Sequence, residues 1–215
     1  MRDFCIIGMG LFGRILASEL IALGQTVVGV DCDAKVIEEL KDKIPDLYVL
    51  DATIPEALKE IGIKDFDHVI VAIGDSIEPN ILTVQNLIDF EIENIWARAE
   101  SDVHERILRK LGVHQVFITE RDTAVRMAGI MHNPGIVDMI DLLEGYSVAR
   151  VKVGPTYSGK SLKEIDFRNK FGVLVMAIQR RNKTTPLAGP NDRIYEGDYL
   201  LLAGKSEVLS KIEEV

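Results

Sequence analysis

The residues best placed to do chemistry stand at the start of the chain. In DFCIIGMGLFGR, Gly8, Gly10 and Gly13 have the spacing G-x-G-x-x-G directly behind a short apolar run. A helix-period segment follows, and a second apolar run, QTVVGVD, closes the unit within ~30 residues. That run ends in Asp31, eighteen residues after Gly13. Gly8 permits a tight turn, Gly10 lets the backbone approach phosphates, and Gly13 lets the helix pack close to the sheet. The helix N-terminus adds free N–H groups and a positive dipole end. Asp31 is suited to accept hydrogen bonds from both hydroxyls of an adenosine ribose. It repels a 2′-phosphate, which disfavours NADP. Gly8, Met9, Gly10, Leu11, Phe12, Gly13 and Asp31 therefore read as a nucleotide site. A sheet whose glycines merely permit close packing is the alternative reading.

Further candidates fall at the carboxyl ends of later strands, where ligands bind in doubly wound sheets. Asp51, Ala52 and Thr53 follow the third apolar run and would flank adenine. Ala72, Ile73, Gly74, Asp75 and Ser76 follow the fourth and would line the mouth of a pocket. Arg98, in WARAES, ends the fifth. It reads as a counter-ion to phosphate, or as a salt-bridge partner of Glu100 or Asp102. Arg14 reads as a solvated helix-face cation, with a phosphate or partner contact as the alternative.

An enzyme reading lacks its reacting groups. His68, His104, His114 and His132 have no oriented carboxylate beside them in an evident motif, and read as surface or capping residues. There is no Tyr-x-x-x-Lys pair, serine elbow or histidine pair at metal spacing. Cys5 and Cys32 read as reduced structural thiols. The balance favours a sensor over a catalyst.

The elements that must hold these residues alternate. Strands are expected at 3–8, 25–31, 47–50, 67–73, 94–98 and 115–118, and helices at 11–23, 34–43, 54–61, 79–90, 102–111 and 123–131. This is a doubly wound parallel sheet, with 3-2-1-4-5-6 the leading strand order. His132-Asn133-Pro134-Gly135 is a breaker cluster. After it, Ile136, Met139, Ile140 and Leu143 predict a helix over 136–145. From 147 on, strands at 147–153, 174–179 and 199–203, with short helices at 161–165 and 206–213, predict a small α+β domain. The expected division is 1–133, a linking helix within 134–146, and 147–215.

The chain has 215 residues, 47% hydrophobic, with a net charge of −9. The charge argues against a nucleic-acid partner. No apolar run reaches the roughly 18–20 residues of a membrane span, and no signal peptide is visible. A cytoplasmic location is expected.

The chain resembles the regulatory subunits of Ktr/Trk-type potassium uptake systems, the RCK or KTN domain proteins. The marks are IIGMGLFGRILASEL, VVGVDCD, the DAT at 51–53, HVIVAIGDSIEPNILT at 68–83, NIWARAES at 94–101 and DRIYEGDYLLLAG at 192–204. The resemblance implies a Rossmann-like RCK N-domain, a crossover dimerisation helix placed here at 134–146, and an RCK C-domain. It implies a non-enzymatic protein that binds ATP, ADP or NAD(H). Such proteins form homo-oligomers, dimers assembling into an octameric ring, on the inner face of a membrane potassium-translocating subunit. Nucleotide contacts would fall on Gly8 to Gly13, Asp31, Asp51, Thr53, Ile73, Gly74 and Arg98. Glu120 matches an acid that holds a divalent cation or Na+ near the γ-phosphate; as an alternative it is an acid suited to a helix N-terminus. ATP-responsive relatives often carry arginine at the position of Leu11, so ATP, ADP and NAD(H) all stay open. In some relatives the C-domain binds cyclic di-AMP between two subunits; the matching segment is 165–178, with Arg168 facing a phosphate. Its alternative role is dimer-interface core. Two other functions also stand: an NAD-dependent oxidoreductase with a small second domain, and the gating ring of a potassium channel separate from its pore.

Overall fold

A computed structural model describes residues 3–132, 135–181 and 183–212. The chain forms two compact units, which divide between Thr119 and Glu120.

In the first unit β1 (Asp3–Ile7), α1 (Leu11–Ala22), β2 (Thr26–Asp31), α2 (Ala34–Leu40), β3 (Asp46–Val49) and α3 (Pro55–Glu60) come first. After them come β4 (His68–Val71), α4 (Ile77–Asp89), β5 (Ile95–Arg98), α5 (Asp102–Leu111) and β6 (Gln115–Phe117). The six strands make one parallel sheet in the order β3-β2-β1-β4-β5-β6, as expected. Ile7 of β1 pairs with both Val30 of β2 and Val71 of β4. The chain thus leaves β1 where the winding of the sheet reverses, the usual place for a ligand crevice.

Alternation along β1 builds two cores. Cys5 and Ile7 face a cluster with Leu58 of α3, Leu87 of α4 and Leu108 of α5. Ile6 faces another with Ala17 of α1 and Leu40 of α2. A strand covered on both sides needs an unbroken apolar run, which CII and VIV supply. Each large side chain so buried contributes about 1.5–3 kcal/mol. Local chemistry sets the helix ends. The Asp33 carboxylate accepts from the Lys35 N–H to start α2, and the Ser101 hydroxyl accepts from the His104 N–H to start α5. Gly112, at φ +97, closes α5.

The second unit holds α6 (Thr119–His132, whose first residue belongs to the first unit), β7 (Ile136–Leu143), β8 (Tyr146–Lys152), α7 (Leu162–Ile165) and α8 (Phe167–Phe171). It ends with β9 (Leu174–Arg180), β10 (Lys183–Pro186), β11 (Tyr199–Lys205) and α9 (Ser206–Leu209). Its antiparallel sheet has the order β10-β9-β11-β8-β7. Val151, Ile178, Leu200 and Leu202 pack beneath Ile165 and Phe167. The buried Asp198 carboxylate receives both Nε and Nη2 of Arg180, at 2.9 and 2.8 Å, and so pins β9 to the turn before β11.

The helix expected at 136–145 is a strand. β7 pairs antiparallel with β8 through two register shifts, after Ile136 and after Asp141. Each bulge inserts a residue that has no partner across the ladder. The first insertion sets Ile136 and Met139 three apart on the core face, and Ile140, exposed on the other face, completes a pattern that reads as helical. The expected 206–213 helix shortens to α9; its position 213, and Asn133 and Pro134 of the breaker cluster, lie outside the described residues.

Candidate functional site

The glycine turn is shaped by close approach. Gly8 has φ +98, and a Cβ there would stand 2.9 Å from the Ile73 backbone nitrogen. A Cβ on Gly13 would stand 2.0 Å from the Gly8 carbonyl oxygen, so only glycine lets α1 start this close to β1. Gly10, the residue before α1, has open space where a Cβ would be. No side chain caps α1 and no acid sits in its first turn. Its first N–H groups and positive dipole end are therefore presented to whatever occupies the space in front.

Asp31 ends β2 with its carboxylate beside the turn. Oδ2 accepts from the Met9 N–H at 2.7 Å and Oδ1 from the Asp33 N–H at 2.9 Å. Next along the sheet edge, Asp51 Oδ1 accepts from the N–H and hydroxyl of Thr53, at 2.9 and 2.7 Å. On the other side of the turn, Arg98 lies flat on Gly74. A Cβ at Gly74 would be 2.2 Å from its Nη1 and 2.5 Å from its Cζ.

These loops enclose one cleft of about 640 Å3. Its lining includes Gly8, Gly10, Leu11, Phe12, Asp31, Asp51, Ala52, Thr53, Ala72, Ile73, Gly74, Asp75 and Arg98. With Ser76, fourteen of the seventeen residues singled out for the site from the sequence thus share one cavity. Met9 serves it from behind: its N–H holds Asp31 while its side chain is fully buried. Gly13 is buried under the turn. Glu120 belongs to the second unit, in the first turn of α6. Arg14 turns to Glu39 of α2, 3.9 Å away, and is not among the lining residues. Among the described residues no cluster of histidine, cysteine and carboxylate side chains could hold a metal ion.

Several participants were not singled out from the sequence. Cys32, Val36, Leu50, Pro79 and Thr83 also line the cleft. Cys32 stands beside a singled-out residue, a signal that was available. The Cys32 thiol has its pKa raised, chiefly by burial and then by the Asp31 carboxylate. His104, expected at the surface or as a cap, is buried behind the β5–α5 loop. Its Nδ1 accepts from the Glu100 N–H at 3.2 Å, and burial lowers its pKa. A polar residue on the inner face of an otherwise apolar helix stripe was its sequence signal.

The TrkA-N domain family matches residues 4–119, and the TrkA-C domain family matches 147–215. Ktr system potassium uptake protein C of Bacillus subtilis (strain 168) is 31% identical over 215 residues, covering 99% of this chain and 96% of that protein. Among solved structures, the GsuK RCK domain superposes with TM-score 0.69 at 20% identity. It covers 99% of this chain, which spans 47% of that one, and so shares the fold. The Kef C-terminal domain of Shewanella denitrificans in its AMP-bound form superposes with TM-score 0.52 at 25% identity, over 60% of this chain and 77% of that one. Motifs, sheet order and matched domains agree from end to end: the chain belongs to the family of TrkA-N and TrkA-C domain proteins that includes Ktr potassium uptake proteins.

Proposed function

We propose that the chain is a nucleotide-sensing regulatory subunit that gates a membrane potassium transporter and catalyses no reaction of its own. The observation that carries this is the cleft at the β1–β4 switch point, lined by its glycine turn and by Asp31, in a chain 31% identical along its length to a potassium uptake protein. The Gly8–Gly13 turn and Arg98 take the phosphates. Asp31 takes the adenosine ribose, and the Asp51–Thr53 loop flanks the base. ATP, ADP and NAD(H) share that adenosine diphosphate core. Glu120 is proposed to hold a divalent cation or Na+ at the phosphate end in the assembled protein.

Self-association follows from α6. None of its fourteen residues is buried, and Val125, Met127 and Met131 are exposed. A helix of that length is marginal in water without packing, so a second copy is its proposed cover. The dimerisation role expected of 134–146 passes to α6. Dimers assembling into an octameric ring against the cytoplasmic side of a potassium-translocating subunit complete the reading; no helix among the described residues is long and apolar enough to cross a membrane. A groove of about 510 Å3 in the second unit, lined by Leu162, Asp166, Phe167, Arg168, Leu174 and others, is the proposed place for cyclic di-AMP.

Titration calorimetry of nucleotide-stripped protein with ATP, ADP, NAD and NADH, with light scattering for mass, tests the reading. Micromolar binding by an assembly larger than a dimer is expected. A monomer that binds only NAD(H) and turns it over with a hydroxy acid would overturn it.

A further inference from the structure

Helix α4 lies beside the cleft and carries two asparagines whose side chains reach the main chain of three surrounding loops. Asn80 is wholly buried. Its Nδ2 donates to the carbonyl oxygens of Ile73, at 2.7 Å, and of Arg98, at 2.9 Å. Two turns on, Asn86 Nδ2 donates to the carbonyl oxygens of Ala52, at 3.2 Å, and of Thr53, at 2.9 Å.

The Asn80 bonds stand where the sheet runs out. The β4–β5 ladder ends at Val71 and Ala97. Beyond it, the loop that leads to Gly74 and the last residue of β5, Arg98, are joined by the amide of Asn80. That amide is held at a cost, because its Oδ1 is buried with no hydrogen-bond partner among the described residues. A buried acceptor left unpaired is destabilising, and an apolar side chain would avoid it. Aspartate would offer no donor and would set a charge against two carbonyl oxygens. The side chain that is present is the one able to donate twice from a single atom.

We infer that Asn80 and Asn86 are positioning residues of the nucleotide cleft, each governing a different end of the ligand. Asn80 sets the Gly74–Arg98 wall against the phosphates. Asn86 sets the Ala52–Thr53 wall against the adenosine. The inference rests on the proposed nucleotide reading and adds a division of labour along one helix. It also makes α4 the element through which the two ends of a bound nucleotide feel each other.

The test uses the full chain with Asn80→Ala and Asn86→Ala, titrated with adenosine, AMP, ADP, ATP and NAD, with a thermal melt of each. Asn86→Ala is expected to weaken adenosine about tenfold and to carry the same factor into AMP, ADP and ATP. Asn80→Ala is expected to leave adenosine within about twofold and to weaken ADP and ATP about tenfold. Should Asn80→Ala fail to fold, Asn80→Ser keeps one donor and is expected to give a smaller loss on ADP and ATP alone. A loss in Asn80→Ala as large for adenosine as for ADP and ATP, in step with the melting temperature, would overturn the inference, as would unchanged affinities in either variant. Unmutated protein that binds none of the five overturns the nucleotide reading, and the positioning roles with it.

Discussion

The two oxygens of Asp31 each accept one backbone N–H, from Met9 and from Asp33, and each keeps a lone pair that the proposed ribose hydroxyls would use. The carboxylate is aimed before a ligand arrives, so little ordering is left for binding to supply. Asp31→Ala should therefore weaken ATP, ADP and NAD by the same factor, about tenfold or more. Weakening of one alone, read by calorimetry, would remove Asp31 from the ribose. Gly13 has a different duty. A Cβ 2.0 Å from the Gly8 carbonyl oxygen must move α1 or the turn. Gly13→Ala should destabilise the first unit by about 1–3 kcal/mol or more, seen as a lower melting temperature together with lost binding. His104 supplies a pH dependence. Its neutral Nδ1 accepts from Glu100, and burial lowers its pKa below the usual 6.5. The unfolded chain then binds the proton more readily, so His104 leaves stability unchanged above pH ~6.5 and subtracts from it as pH falls below. His104→Asn, whose Oδ1 can accept the same bond, should flatten the melting profile between pH 7 and 5.

At the level of elements, α6 makes the clearest claim. Its Val125 and Met131 are exposed, the face that the proposed second copy would cover. Val125→Glu with Met131→Glu should lower the mass measured by light scattering by half or more, while adenosine affinity per chain, measured by calorimetry, holds. The first unit was legible because its signals are local and agree. Apolar runs covered on both faces, Asp33 and Ser101 as caps, and glycines at fixed offsets all demand the same parallel sheet. The second unit was legible in its central strands, β8, β9 and β11, whose residues alternate. Its edge strands were not. β7 carries two bulges that disguise its period, and Lys183–Pro186 of β10 is exposed throughout, with no apolar face to announce it. The cleft residues were readable for a similar reason. Gly8, Asp31 and Gly74 sit at strand ends with backbone duties that few residue types can meet. Asn80 and Asn86 act through carbonyls far away in sequence, and nothing in their own neighbourhood records that.

For the whole molecule, gating needs a difference in affinity between two states, not affinity alone. Moving an equilibrium from 1:99 to 99:1 takes about 5.5 kcal/mol. Shared by the eight sites of the proposed octamer acting together, that is under ~1 kcal/mol per site, within reach of one extra phosphate met at a helix N-terminus or by an arginine. Potassium flux through vesicles carrying the cognate membrane subunit should then differ between saturating ATP and saturating ADP or NAD. Equal flux in all three would mean that occupancy, not ligand identity, sets the gate. The two cysteines offer a way to follow that occupancy. Cys5 is fully buried, its thiol pushed up to about 12, whereas Cys32 is exposed and lines the cleft. A maleimide at mildly alkaline pH should mark Cys32 and spare Cys5, and a seated nucleotide should shield it. The chain thus comes with its own footprinting probe, and the rate at which a single sulfur is alkylated becomes a readout of how full the cleft is.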